Sequence, residues 1–302
     1  MNNKLINVAF FGLSSLALTA CGGGSNFGST DTSTGTLNLA ITDAPVDDAK
    51  SVVVEFNGLE LKPSVGENIV HDFKDASGNS VAKSIDLLAL TNGKSKPLLD
   101  GLSLKAGHYD WIRLKVNAEK DVEDTYITLK DDSVHEMEIP SGNQSGLKLQ
   151  SGFNVPAGGS ASFTIDFDLR KSVHKPKAKN KDYILRPTLR LVDNSKVGKL
   201  TGSISSELVT TGGECTGAVY VFNETDAVDD FDGENDAISS ANISSENGSD
   251  NYTVAFLSEG KYKVAFTCDA GKDDPEKNDE IIFHNTTVVT IEAGKTATYD
   301  FK

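Results

Sequence analysis

An all-β protein of two tandem β-sandwiches is predicted by three features: short segments that alternate apolar and polar residues, turn residues between those segments, and two phrases that occur twice in the same order. Successive side chains of a strand point to opposite faces, so a half-buried strand reads with a period of two. Clusters of Gly, Pro and Asp supply the turns.

In the first half the alternating segments are "TLNLAIT" (36–42), "SVVVEFNGLELK" (51–62), "YDWIRLKV" (109–116), "SASFTIDFDL" (160–169) and "ILRPTLRLVD" (184–193). "SIDLLALTNG" breaks the pattern and predicts a short helix, with Ser84 as N-cap and Gly93 as its stop. The second half continues with "LTGSIS" (200–205), "GAVYVFN" (217–223), "YTVAFL" (252–257), "YKVAFT" (262–267), "TTVVTI" (286–291) and "TATYDF" (296–301). Spacing of this kind fits sandwiches.

The repeated phrases tie the halves together. Leu104-x-x-Gly107-x-Tyr109 matches Leu257-x-x-Gly260-x-Tyr262, and Val155-x-Ala157-Gly158-x-x-Ala161-x-Phe163 matches Ile291-x-Ala293-Gly294-x-x-Ala297-x-Tyr299. Each reads as a glycine-bearing turn that launches a strand, with an aromatic on one face. Chance similarity between hairpins is the plainer account; a tandem of related sandwiches is the sharper one.

"TDAPVDDA", "DLLALTNG", "LKAGHYDWIRLKV", "IPSGNQSGLKL", "TIDFDLRKSV" and "LRPTLRLVD" together resemble the domain-of-unknown-function 4382 family found in bacterial surface and periplasmic lipoproteins. The resemblance runs over residues 36–195 and implies fold and location, with no established activity. Residues 196–302 resemble transthyretin-like and carboxypeptidase-regulatory-like β-sandwiches.

Residues 1–20 carry one charge, Lys4, followed by an apolar stretch to Leu18, the layout of a secretory signal. At about 14 residues the stretch is shorter than the ~20 a helix needs to span a bilayer. Leu18-Thr19-Ala20-Cys21 resembles the lipobox of bacterial lipoproteins, which implies cleavage before Cys21 and lipidation of its thiol. Gly22 in place of aspartate implies, by the same resemblance, the outer membrane. Residues 21–35 are then a Gly/Ser/Thr tether, too poor in apolar surface to fold. The organisation expected is signal peptide 1–20, tether 21–35, a first sandwich at 36–195 and a second at 196–302.

Charge is uneven: residues 21–200 hold 24 acidic and 22 basic side chains, and residues 201–302 hold 20 acidic and 6 basic. A protein so acidic is not expected to bind nucleic acid. Cys215 and Cys268 are the two cysteines left once Cys21 is lipidated, and an exported chain is expected to join them. Acid is concentrated at 224–237 and 269–280, and Asp230-x-Asp232-Gly233-x-x-Asp236 has the oxygen-rich spacing calcium uses. A solubilising acidic loop is the alternative. If the disulfide joins antiparallel neighbours, the two acidic loops leave from opposite ends, so any site is expected on Asp230, Asp232 and Asp236 alone.

The basic run 170–181 reads as a solvated loop or as a contact with an acidic partner, lipid phosphates or the chain's own acidic half. Residues 140–146 form a turn or an anion-holding nest. The five histidines lack metal-ligand spacing, and no nucleophile elbow, P-loop or dinucleotide fingerprint occurs. No catalytic residue and no cofactor other than calcium is expected. The function expected is a lipid-anchored, non-catalytic binding or structural module of the cell envelope, its partners the membrane and an envelope protein or polysaccharide. A carbohydrate or polymer binder using Tyr109, Trp111 or Tyr126 is the alternative, with Tyr109 and Trp111 on one strand face, and an enzyme with a loop-assembled site comes after it.

Overall fold

Parity along the longest strand, Ala49–Pro63, shows how the first core is filled. Val52, Val54 and Phe56 are buried at even positions and Leu59 and Leu61 at odd ones. The parity changes at Asn57-Gly58, where pairing with the Gly107–Asn117 strand slips by one residue. Such a bulge lets one strand keep both apolar sets on the same side. Gly58 is needed there because a Cβ would stand 2.3 Å from the carbonyl oxygen of His71.

The computed structural model describes residues 33–302 apart from 45–48, 120–121, 141–145, 176–182, 211–214, 234–235 and 247–248. Cys21 and the signal sequence lie outside the described residues, as do most of the 140–146 turn and the end of the basic run. Among the described residues no helix is long and apolar enough to cross a membrane.

The protein is all-β, built as two sandwiches. In the first, a four-stranded sheet runs Leu189–Asp193, Ser160–Asp168, Thr34–Ala44, Lys96–Lys105, and faces a larger sheet centred on Ala49–Pro63 and Gly107–Asn117. Leu37, Leu39 and Ile41 meet Val54, Phe56, Leu59, Ile112 and Leu114 between them. In the second, the sheet Ser244–Glu246, Ser249–Ser258, Val197–Ile204, Thr296–Thr298 faces Ser239–Asn242, Ala218–Asn223, Gly260–Thr267, Phe283–Ile291 around a core that includes Leu200, Val219, Val221, Val254, Val264 and Phe266.

The repeated phrases occupy equivalent places in both sandwiches. Each first strand, Thr34–Ala44 or Val197–Ile204, pairs antiparallel with one neighbour and parallel with a later one. The Leu-x-x-Gly-x-Tyr phrase is the corner where the chain passes from one sheet to the other, and its tyrosine reaches back four residues: Tyr109 donates to the Lys105 carbonyl at 2.9 Å and Tyr262 to the Ser258 carbonyl at 2.8 Å. In the other phrase Gly158 and Gly294 have φ of 66° and 71°, a left-handed turn that favours glycine, and their N–H groups donate to Thr34 and Val197. A third equivalence, Gly35 with Gly198, went unread in the sequence: a Cβ at either would press on the Pro156 or Glu292 carbonyl, at 2.2 and 2.4 Å.

Two local expectations are corrected. Ser84 lies in a strand, Lys83–Asp86, and the helical piece is a single 3-10 turn, Leu88–Leu90. The oxygen at its start comes from Asp86, which accepts from the Leu88 N–H at 3.2 Å and from Val52 at 3.1 Å. Tyr109 and Trp111 do not share a face, because a second register shift separates them. Tyr109 is buried, stacked on Phe153 at 5.1 Å, whereas Trp111 is half-buried between the cations of Arg113 and Lys148.

Cys215 and Cys268 form a disulfide at the paired ends of the Ala218–Asn223 and Gly260–Thr267 strands, where Ala218 lies opposite Thr267. The bridge closes a sequence separation of 53 residues, a loop whose chain-entropy contribution is about 4 kcal/mol. Replacing both cysteines by serine should therefore lower the unfolding free energy by that order, read as a lower urea midpoint, without changing the far-ultraviolet circular dichroism of the folded protein. An unchanged midpoint would show that the bridge does not constrain the unfolded chain.

Candidate functional site at the acidic loops

The Ala218–Asn223 strand is buried on both faces. Val219 and Val221 point into the second core, and Ala218, Tyr220 and Phe222 point outward yet are equally buried. Their cover comes from the described residues of the two acidic loops, 224–233, 236–238 and 268–282, among them Val228, Phe231, Ala237 and Ala270, which fold back across the sheet. Phe231 stacks on Tyr220 with ring centroids 4.8 Å apart, and Phe283 meets the same ring edge-on at 5.3 Å. Burying a phenylalanine contributes about 2 kcal/mol, enough to hold a polar loop on an aromatic surface.

Asp273 joins the loops. One of its oxygens accepts from the Tyr220 hydroxyl at 2.6 Å and the other from the Phe231 N–H at 3.1 Å. Asp230, 1% exposed, accepts from the Asp279 N–H through one oxygen; its other oxygen is buried with no hydrogen-bond partner among the described residues. Carboxylate oxygens of Asp230, Asp273 and Asp279 lie within 4.8 Å of one another. Burial raises the pKa of Asp230, and the nearby charges of Asp232 and Asp229 add to the rise; burial raises Asp273 too, against its two hydrogen bonds and the charge of Arg170.

Of the residues singled out from sequence, Asp230 alone belongs to this cluster. Asp232 accepts from the Asn278 side chain at 2.7 Å; Asp236 accepts from the Gly233 N–H at 2.9 Å and pairs with Lys171 at 3.1 Å. The two acidic stretches do leave from opposite strand ends, since Asn223 lies opposite Tyr262 and Ala218 opposite Thr267. They meet all the same, because the aromatic face between those ends draws both loops inward. Asp273 and Asp279 were missed for this reason; Tyr220 and Phe222, alternating with Val219 and Val221 in a strand apolar on both faces, were the available signal.

The first sandwich reaches into this assembly. After the Ser160–Asp168 strand a single helical turn, Leu169–Ser172, capped by Asp168 on the Lys171 N–H at 3.3 Å, presents two cations. Arg170, 3% exposed, donates to the Ala270 carbonyl and to the Asn242 side-chain oxygen, both at 2.7 Å, and lies over the Tyr220 ring. Lys171 lies over Phe231 and donates to the Ala237 carbonyl. His174 and Arg186 approach Glu276 at 3.5 and 3.4 Å. The described part of the basic run thus meets the chain's own acidic half. Beside it a cleft of about 230 Å³ runs between Ile127, Val173 and Tyr183 of the first sandwich and Gly271, Asp273 and Pro275 of the second.

Fold and junction define an all-β, two-sandwich protein whose halves are held together by charge. Its first sandwich places it in a family: the chain belongs to the Domain of unknown function (DUF4382) family, which matches residues 34–187. No curated protein matches the chain. Among solved structures it is similar to a leucine-rich repeat protein from Bacteroides thetaiotaomicron at 13% identity and a TM-score of 0.21, over 88% of this chain and 26% of that one, so it spans about a quarter of that protein's length. It is also similar to the minor pilin of Streptococcus agalactiae, at 12% identity over 87% of this chain and 94% of that one, with a TM-score of 0.20. A putative cell adhesion protein from Bacteroides fragilis matches at 9% identity, over 88% and 91%, with a TM-score of 0.21.

Arg170→Ala should cost on the order of 3 kcal/mol, because it leaves a buried carbonyl and a side-chain amide without their charged donor. The loss is measurable as a lower urea midpoint; a change within error would reduce Arg170 to a bystander. Asp168 supplies a pH test. Burial, opposed by Lys171, raises its pKa from 3.8 to about 6. The folded state therefore holds this proton more tightly than the unfolded chain, and the stability so gained is complete below about pH 4 and lost as pH rises through 6. Asp168→Asn keeps a capping oxygen and should stabilise the protein at pH 7.5 by up to roughly 3 kcal/mol, with little effect at pH 4. Equal effects at both pH values would contradict the assignment.

Proposed function

We propose that the chain is a non-catalytic binding or structural module of the cell envelope, lipid-anchored through Cys21 to the outer membrane, whose partner is an envelope protein or polysaccharide. The observation that carries this reading is the use made of the perturbed carboxylates. Asp166 is paired with Arg190 under the junction, Asp168 caps the turn that carries Arg170, and Asp273 holds Tyr220 and the Phe231 backbone. Groups whose shifted titration would mark them as candidates for acid–base work are here each engaged in a structural contact, within one sandwich or at the turn that carries Arg170. The Cys215–Cys268 bond supports an oxidising compartment, and the lipobox-like Leu18–Cys21 supports the anchor. Several acyl chains on one cysteine hold a protein to a bilayer firmly, at about 0.8 kcal/mol for each buried methylene.

Cys21→Ser should abolish palmitate labelling and release the protein from the outer-membrane fraction. Sedimentation of a labelled variant with that fraction would remove the anchor from the reading. Reaction of a membrane-impermeant reagent with intact cells distinguishes an outward-facing module from a periplasmic one.

A further inference from the structure

We propose that Asp230, Asp273 and Asp279 bind a calcium ion that ties the two acidic loops together over the outer face of the second sandwich. The proposal is independent of the anchor and of any partner.

The geometry fits a single cation. Calcium holds oxygen ligands at 2.3–2.6 Å, so two ligands on opposite sides of one ion stand at most about 5 Å apart. The three carboxylates, drawn from both loops, offer oxygens within 4.8 Å of one another. Proximity of acids alone would not identify a site, but Asp230 adds a second feature. Its side chain is 1% exposed, and its free oxygen is buried with no donor among the described residues. A buried carboxylate oxygen without a partner costs free energy, and a cation shared with Asp273 and Asp279 is the partner this position lacks. Asp273 and Asp279 are half-buried, which leaves room for water to complete the shell.

The donor set selects the ion. All three residues offer hard oxygen ligands, with no His or Cys in the cluster, which favours calcium or magnesium over transition metals. Both oxygens of Asp273 are already oriented by Tyr220 and the Phe231 N–H, and one of Asp230 by Asp279. Ligands fixed this way suit the irregular shell calcium accepts better than the near-ideal octahedron magnesium demands. Arg170 offsets one of the three negative charges, which points to a weak site of the extracytoplasmic class, with Kd of about 0.1–1 mM.

The test is thermal unfolding of the full chain in 10 mM calcium chloride, in 10 mM magnesium chloride and in chelator, together with terbium luminescence. Tyr220, 2.6 Å from Asp273, is placed to sensitise a bound lanthanide. Calcium at 10 mM, a roughly ten- to hundredfold excess over Kd, should raise Tm by about 3–10 °C, and terbium should luminesce and be displaced by calcium. Asp230→Asn and Asp279→Asn should each abolish both signals, whereas Asp232→Asn should keep them. Asp230→Asn retains an acceptor for the Asp279 N–H, and if it still fails to fold, Asp279→Asn alone reads the site. Equal Tm in calcium and chelator with no terbium signal would overturn the proposal. An equal rise in magnesium would overturn the choice of ion, and loss of binding in Asp232→Asn would overturn the ligand set.

Discussion

Arg170 is the contact on which the arrangement of the two sandwiches turns. A guanidinium presents its donors in a rigid planar fork, and here the fork spans a main-chain carbonyl on one acidic loop and a side-chain amide on the adjoining strand while its face lies on Tyr220. Removing a guanidinium from water is unfavourable unless hydrogen bonds replace those lost, and the two that Arg170 makes through its terminal nitrogens both require the second sandwich to sit in this place. The turn that carries it sits directly after the central Ser160–Asp168 strand, and this fixes it to the first core as firmly as Tyr220 is fixed to the second. Asp166, Thr42 and the serines at 239 and 240 are buried around the same junction, Asp166 against the half-buried Arg190. Buried polar side chains thus make up much of the junction beside its aromatic contacts.

Charge asymmetry between the halves acquires a local meaning in this light. The surplus of acid in residues 201–302 is spread over loops that wrap an aromatic strand, and the basic cluster that answers it comes from the near-neutral half. Arg170 and Lys171 lie over Tyr220 and Phe231 as well as beside carbonyls and carboxylates. Cations over aromatic rings are favoured when desolvated. Phe231 therefore serves two contacts at once: it attaches its loop to Tyr220 of the sheet and receives the neighbour's Lys171.

What the sequence disclosed follows from the range of the interaction involved. Strand identity is a matter of near neighbours, and the apolar patterning located most of the long strands of both sandwiches, though not Lys96–Lys105, where Pro97 and Gly101 interrupt the alternation. The Leu-x-x-Gly-x-Tyr corner was legible because its tyrosine bonds four residues back, and the second phrase because a left-handed glycine is needed at one point. Parity beyond a bulge was not legible: Asn57-Gly58 and the slip before Trp111 depend on which carbonyl of another strand stands opposite. The ligand geometry of the acidic loops was likewise hidden. Asp230 was visible from composition, but Asp273 and Asp279 join it only because Phe231 packs on Tyr220, and no spacing within either loop encodes that contact.

The connection between the sandwiches is doubled. One link is covalent, the 3-10 turn Asn194–Lys196 with Asp193 capping Ser195; the other is the Arg170 fork, reached from a different strand. A single peptide connection would leave a swivel, and a second attachment away from its axis removes it. Force applied to the far sandwich then arrives at Ser33 as bending and torque instead of being lost at a hinge. The far end of the second sandwich therefore keeps a fixed bearing relative to the strand that begins at Thr34, and the pair behaves as one lever.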